Sequence, residues 1–458
     1  FKKKGMIYIL NKIANTIRGL SIDAINEANS GHPGLPLGCA DLGAILYSEI
    51  LIQNPKNPRW INRDQFVLSA GHGSMFQYAC MHLAGYNISL TDIKNFRQIH
   101  SKTAGHPEYG EADGIETTTG PLGQGLATAV GMALAQKILQ QKANKASDLF
   151  NSNTYVLASD GCIMEGVSSE ASSLAGHWKL DNLVVIYDAN DICLDGPVEE
   201  CLTEDVAKRY QAYGWNVIEI DGHDFTDIKR GFDASKNEKN RPTLIIAKTV
   251  IGKGAPSVEG TSEVHGKALG VDEAKRTKEA LGIPLEPTFY VPQEVADFFN
   301  QRTEKAKVEE NEWNTLFENW SNQNPEKVAL WKQALNQEIT TDFSNKLSQL
   351  DAGTNKASRA SSSSIIQFIH DELPFVMGGS ADLSCSDSTF MKASSMLMAS
   401  DFNQRNIKYG PREFAMAAIA CVVDDNAQLD YQCRRAVMCP HETILRQELD
   451  NCLRGPTS

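Results

Sequence analysis

The chain has 458 residues, 41% of them apolar and 22% charged, an ordinary globular balance long enough for two or three domains at roughly 150 residues each. Its 44 Lys and Arg against 57 Asp and Glu leave a net charge of −13. That argues against nucleic acid or a membrane surface as a partner, while a local phosphate site built from backbone amides and a metal ion stays open. No run approaches the roughly 18 apolar residues of a membrane span. The basic start Lys2–Lys4 is followed by an apolar run too short for a secretory signal. The ten cysteines include no C-x-x-C pair and no zinc spacing, which predicts free thiols and a cytoplasmic location.

From about Ile13 to Gly254, short apolar runs alternate with helical-period segments and glycine turns, the pattern of a parallel α/β domain. Three runs read as buried strands: Tyr155–Ala158, Leu183–Tyr187 and Leu244–Ala247. A helical segment, Glu170 to Trp178, lies between the first two and completes a βαβ unit. From Pro292 to Gln337 the composition shifts to Glu, Lys, Asn and Trp without glycine, which predicts a helical, solvent-exposed connector. A second α/β segment follows, with a strand expected at Phe375–Met377 just before Gly378-Gly379. Residues 421–458 depart from this alternation, with one glycine, scattered charge and four of the ten cysteines.

Asp160-Gly161 and Asn190 each stand just past a predicted strand of that βαβ unit. Such strand ends converge on one crevice, where open parallel sheets bind ligands. A carboxylate, an amide oxygen and the nearby Ile192 carbonyl would suit a small hard cation such as Mg²⁺, although D-G and Asn are common turn formers on their own. Gly120-Pro121-Leu122-Gly123-Gln124-Gly125 precedes a small-residue helix, and its glycines let backbone come close to an anion at a helix start. Four histidines sit in Gly- or Pro-flanked settings: His32, His72, His106 and His265. One such residue is usually a turn; four together predict a polar cleft that transfers protons and binds hydroxyls.

Ser30–Gly38 (SGHPGLPLG), Gly105–Glu108 (GHPE), Thr119–Gly125 (TGPLGQG), Asp160–Gly166 (DGCIMEG), Val264–Gly266 (VHG), Gly378–Leu383 (GGSADL) and Tyr409–Met416 (YGPREFAM) resemble the transketolases, thiamine-diphosphate enzymes. The resemblance runs in register from about residue 12 to 420. SGHPG and GHPE favour transketolases over deoxyxylulose-phosphate synthases and phosphoketolases.

The resemblance implies a parallel sheet with helices on both faces (1–292), a helical connector (293–350) and part of a pyrimidine-binding α/β domain (351–420). It implies Mg²⁺ held by Asp160, Asn190 and the Ile192 carbonyl, with His72, Gly120, Pro121, Leu122, Gly161 and His265 at thiamine diphosphate. His32, His106 and His265 match residues that line the substrate channel and move protons. Arg359 and Ser386 match sugar-phosphate contacts, and Asp382 a substrate-orienting group. Glu413 matches the glutamate that bonds the aminopyrimidine ring and promotes loss of the thiazolium proton. Glu165 matches its partner across a subunit interface, so a homodimer with shared sites is implied. The activity implied is transfer of a two-carbon ketol unit between sugar phosphates; the alternative is a homologue that binds thiamine diphosphate and Mg²⁺ without turnover. Ser159, Ala189 and Pro411 depart from the family pattern, Pro411 by removing a backbone N–H. Residues 421–458 match none of the family's continuation and read as out-of-frame translation or a damaged gene.

Overall fold

A computed structural model describes residues 2–143, 149–335, 341–350 and 356–425; the non-matching tail from residue 426 lies outside the described residues. The chain divides into two compact units, Phe1–Ala129 with Ser152–Asn314, and Val130–Asn151 with Thr315–Ser458.

The first unit is built on a five-stranded sheet, β1 (Gln65–Leu68), β2 (Thr154–Ser159), β3 (Leu183–Ala189), β4 (Asn216–Asp221) and β5 (Thr243–Lys248), in the order β1-β2-β3-β5-β4. Every pairing is parallel, which gives the predicted α/β class. The three strands expected from the sequence are β2, β3 and β5, each longer than its apolar run by a residue or two at its ends. All seven residues of β3 are buried, as a central parallel strand with both faces covered requires. The helices Asp160–Met164 and Gly166–Trp178 connect β2 to β3. The register places Ser159 opposite Asp188, and Ala189 opposite Lys248. The carboxyl ends of β2, β3 and β5 therefore lie side by side.

The predicted connector is helical, with Gln293–Gln323 as one continuous helix, but it is not solvent-exposed all round. Val295, Phe299, Thr303, Ala306, Glu310 and Trp313 form a buried stripe at helical spacing. Glu310 accepts hydrogen bonds from Asn54 and Asn57, both at 2.5 Å, and Trp313 meets Trp60 edge-on at 6.1 Å. Composition signalled the polar face and hid the stripe.

In the second unit, β6 (Gly378–Ser380) pairs in parallel with β7 (Asn406–Lys408). The strand expected at Phe375–Met377 thus begins three residues later. Val376 and Met377 are buried, but Arg405 donates to the Val376, His370 and Leu373 carbonyls, which takes this stretch out of the ladder. Gly379 is forced there by contact: a Cβ would stand 2.5 Å from Tyr409 and 2.7 Å from the Ile407 carbonyl. The helix Glu413–Asp425 follows β7 and runs past about residue 420, where the resemblance read from the sequence ends.

Candidate functional site

A cleft of about 580 Å³ opens in the first unit at the strand ends, walled by Asp160, Gly161, Asn190 and Ile192 on one side and His32, His72 and His265 on another. The loop geometry that delivers these groups is local. Gly120 adopts φ +147°, a value closed to residues with a Cβ, and a Cβ there would stand 3.2 Å from His106. A Cβ on Gly71 would stand 2.6 Å from Thr119 Oγ1 and 2.7 Å from the Gly120 nitrogen. These contacts let the segment from Thr119 settle on the His72 turn before the helix Gln124–Lys142 starts.

Asp160 sits at the end of β2 with one carboxylate oxygen accepting from the Tyr187 hydroxyl. Its other oxygen, Oδ2, is buried with no partner. Burial and the nearby Asp188 and Asp191 carboxylates push the Asp160 carboxyl up to about 7, against the pull of the Tyr187 bond. Asn190 donates from Nδ2 to Asp188 at 2.9 Å, and its Oδ1 accepts from the Ile192 N–H at 3.0 Å. An orphaned carboxylate oxygen beside an amide oxygen and a main-chain carbonyl fits a six-coordinate hard cation, whose remaining positions go to phosphate oxygens and water. Among the described residues no group of three or more His, Cys, Asp or Glu side chains is disposed to hold a metal. The Asp160 set has one such side chain and two neutral oxygens, so it is a different kind of site.

The three cleft histidines touch one another. His72 stacks on His265 with ring centroids 5.2 Å apart and 19° between planes, and His32 meets both edge-on at 5.1 and 5.9 Å. Burial pushes His32 down to about 4, helped by the Arg97 charge, and His72 down to about 3. Burial also lowers His265 and His106. The cleft rings are thus held neutral.

Of the residues expected at the site, His32, His72, Gly120, Leu122, Asp160, Gly161, Asn190, Ile192 and His265 line this one cleft. His106 stands behind Gly120, and Pro121 and Glu165 are exposed beside it. Arg359, Asp382, Ser386 and Glu413 belong to the second unit, where all four are exposed. There Asp382 follows β6 with φ +70°, Ser386 lies on the short helix after it, and Glu413 opens the helix after β7. Sequence reasoning missed two groups. Arg97 reaches His32 from a turn with φ +61°, and Asp188 lies in β3 just past the run Leu183–Tyr187 read as a strand.

A parallel sheet with glycine turns, an oxygen-donor set and neutral imidazoles at its carboxyl edge defines an α/β domain with a ligand crevice at that edge. The family described as transketolase, thiamine diphosphate binding domain, matches residues 9–340. A transketolase of Geobacillus stearothermophilus is 46% identical over 417 residues, covering 90% of this chain and 62% of that protein. A transketolase structure from Leishmania mexicana superposes with a TM-score of 0.87 at 37% identity, covering 91% of this chain and 62% of that one. A Pichia stipitis transketolase solved with sedoheptulose 7-phosphate gives 0.87 at 40% identity, covering 91% and 63%. The chain belongs to the transketolase family. It spans about 62% of the length of the curated relatives it matches.

Proposed function

We propose that this chain is a transketolase, moving a two-carbon ketol unit from a ketose phosphate of the xylulose 5-phosphate type to an aldose phosphate of the ribose 5-phosphate type in the pentose phosphate pathway. Thiamine diphosphate and Mg²⁺ are its cofactors. The observation that carries the reading is Asp160 Oδ2, buried without a partner at the floor of the cleft. Asp160, Asn190 and the Ile192 carbonyl hold the cation. Gly120, Pro121, Leu122, Gly161, His72 and His265 receive the diphosphate. Bound thiamine diphosphate supplies the electron sink for breaking the bond beside the ketose carbonyl.

The chain's own residues do the rest. His32, His106 and His265, neutral at physiological pH, take and return protons at substrate hydroxyl and carbonyl oxygens. Arg97 can only donate, so the neutral His32 ring accepts at Nδ1 and presents its proton from Nε2. Arg359 and Ser386 bind the sugar phosphate, a role for which a guanidinium fork is suited, and Asp382 orients the substrate. Glu413 bonds the cofactor ring, with Glu165 of a second copy as its partner in a homodimer. The six free cysteines among the described residues accord with a cytoplasmic setting.

A coupled assay with thiamine diphosphate, Mg²⁺, xylulose 5-phosphate and ribose 5-phosphate tests this. Turnover that disappears in Glu413→Ala is the expected result. A second reading, cofactor binding without turnover, is favoured by the placement of every cation and diphosphate residue in the first unit. No turnover, with calorimetry still detecting Mg²⁺-dependent cofactor binding, selects it. Loss of both discards the two readings together.

A further inference from the structure

We propose that Asp188 is a positioning residue that locks the Asn190 amide with its oxygen toward the cation; the inference rests on the cation site proposed above. Asp188 is 1% exposed at the penultimate position of β3, held in the sheet opposite Ser159. Both of its carboxylate oxygens accept hydrogen bonds: Oδ1 from the Thr249 hydroxyl and Oδ2 from Asn190 Nδ2 at 2.9 Å.

Asn190 is thereby fixed at both ends. Its NH₂ must face Asp188, and its Oδ1 faces the Ile192 N–H at 3.0 Å. A flipped amide would set carbonyl against carboxylate and NH₂ against N–H, two repulsive contacts in a part-buried place. An amide free to flip must be turned by the cation on binding; a locked one already presents oxygen. Partners of this kind are worth about 10- to 100-fold in metal affinity.

The same carboxylate has a second reach. Thr249 directly follows β5 and begins the segment that carries His265. The next residue, Val250, donates its N–H to His223 Nε2 at 3.0 Å. One side chain thus ties the cation ligand to the base of a histidine-bearing loop.

The test is titration of the full chain with Mn²⁺ in the presence of thiamine diphosphate, followed by the electron paramagnetic resonance signal of free Mn²⁺. Thermal unfolding of each metal-free variant is recorded beside it. In Asp188→Leu the acceptor facing Asn190 Nδ2 is removed at similar side-chain volume, so Mn²⁺ affinity is expected to fall about 10- to 100-fold. The double variant Asp188→Asn, Asn190→Asp restores the bond with its polarity reversed, keeps an acceptor for Thr249 and again offers oxygen to the cation. It is expected to bind Mn²⁺ within a few-fold of the parent chain and more tightly than Asp188→Leu, Asn190→Asp, where the same added carboxylate has no partner; a merely structural role for Asp188 would leave two equally stable double variants with equal affinity. Should the Leu variants fail to fold, Mn²⁺ binding by Asp188→Asn, Asn190→Asp within a few-fold of the parent carries the test alone. Parent-like affinity in Asp188→Leu, or no recovery in Asp188→Asn, Asn190→Asp, overturns the positioning role. No Mn²⁺ binding by the parent chain instead overturns the cation site itself.

Discussion

Arg97 Nη2 lies 3.3 Å from His32 Nδ1 while Nη1 donates to Ser30 Oγ at 2.8 Å, so one guanidinium fixes both the ring and the turn that carries it. The fork also decides which ring nitrogen of His32 bears the proton. Removing it has a defined sign.

In Arg97→Met the side-chain length stays and the charge goes. The His32 pKa is expected to rise from about 4, since the Arg97 charge is the second cause holding it down. It stays below the usual value near 6.5, because burial, the larger cause, remains. Imidazole ¹⁵N spectra across pH would report both the shift and the tautomer. An unmoved His32 titration would show that the contact has no hold on the ring.

His72 gives a stability prediction. Its folded pKa of about 3 lies below the unfolded value because burial, then the charges of His265 and His32, disfavour the imidazolium. As pH falls through about 6.5 the unfolded chain takes up a proton that the folded chain refuses. Stability is therefore full above that pH and declines between about 6.5 and 3, by at most about 1.4 kcal/mol per pH unit for this group. His72→Gln removes this contribution. Urea unfolding from pH 7 to 4.5 should show a shallower acid-side loss in the variant, and parallel curves would contradict the assignment.

Gly120→Ala tests the floor of the cleft. The change forces a Cβ onto a φ of +147° and toward the His106 ring, at a cost of about 1–3 kcal/mol. Calorimetry should also show weaker thiamine diphosphate binding. A variant as stable as the parent would mean that the turn relaxes freely.

Glu310→Ala probes the long helix. It strips the shared acceptor from the buried Asn54 and the exposed Asn57, and the orphaned buried donor of Asn54 costs about 1–3 kcal/mol. A lower urea midpoint with an unchanged slope is expected. An unchanged midpoint would show that the buried stripe alone secures the helix.

How much of this could be read from the sequence depended on burial. β2, β3 and β5 announce themselves because a parallel strand covered on both faces is continuously apolar. β4, with Ile220 as its one buried residue, is an edge strand whose Asn-Val-Ile-Glu-Ile-Asp pattern looks like surface. β1 is four residues long and follows Arg63 and Asp64, polar groups that are buried through partners rather than hydrophobicity: Arg63 on Glu116, and Asp64 on the Ile52 and Asn153 N–H groups. Asp160 and Asn190 were legible as strand-end oxygens. Arg97 was not, because its meeting with His32 depends on a left-handed turn and a fold-wide contact. Asp188 was missed because it stands just past the apolar run Leu183–Tyr187, in the two residues by which β3 outlasts that run.

His32 precedes every strand of the sheet and His265 follows the last of its five, yet their rings meet. Such contact between distant parts of a chain closes late, since the intervening loop entropy must first be overcome. The imidazole trio therefore exists only once both ends of the first unit's chain have met across the sheet, and a ligand that needs all three rings selects chains in which they have.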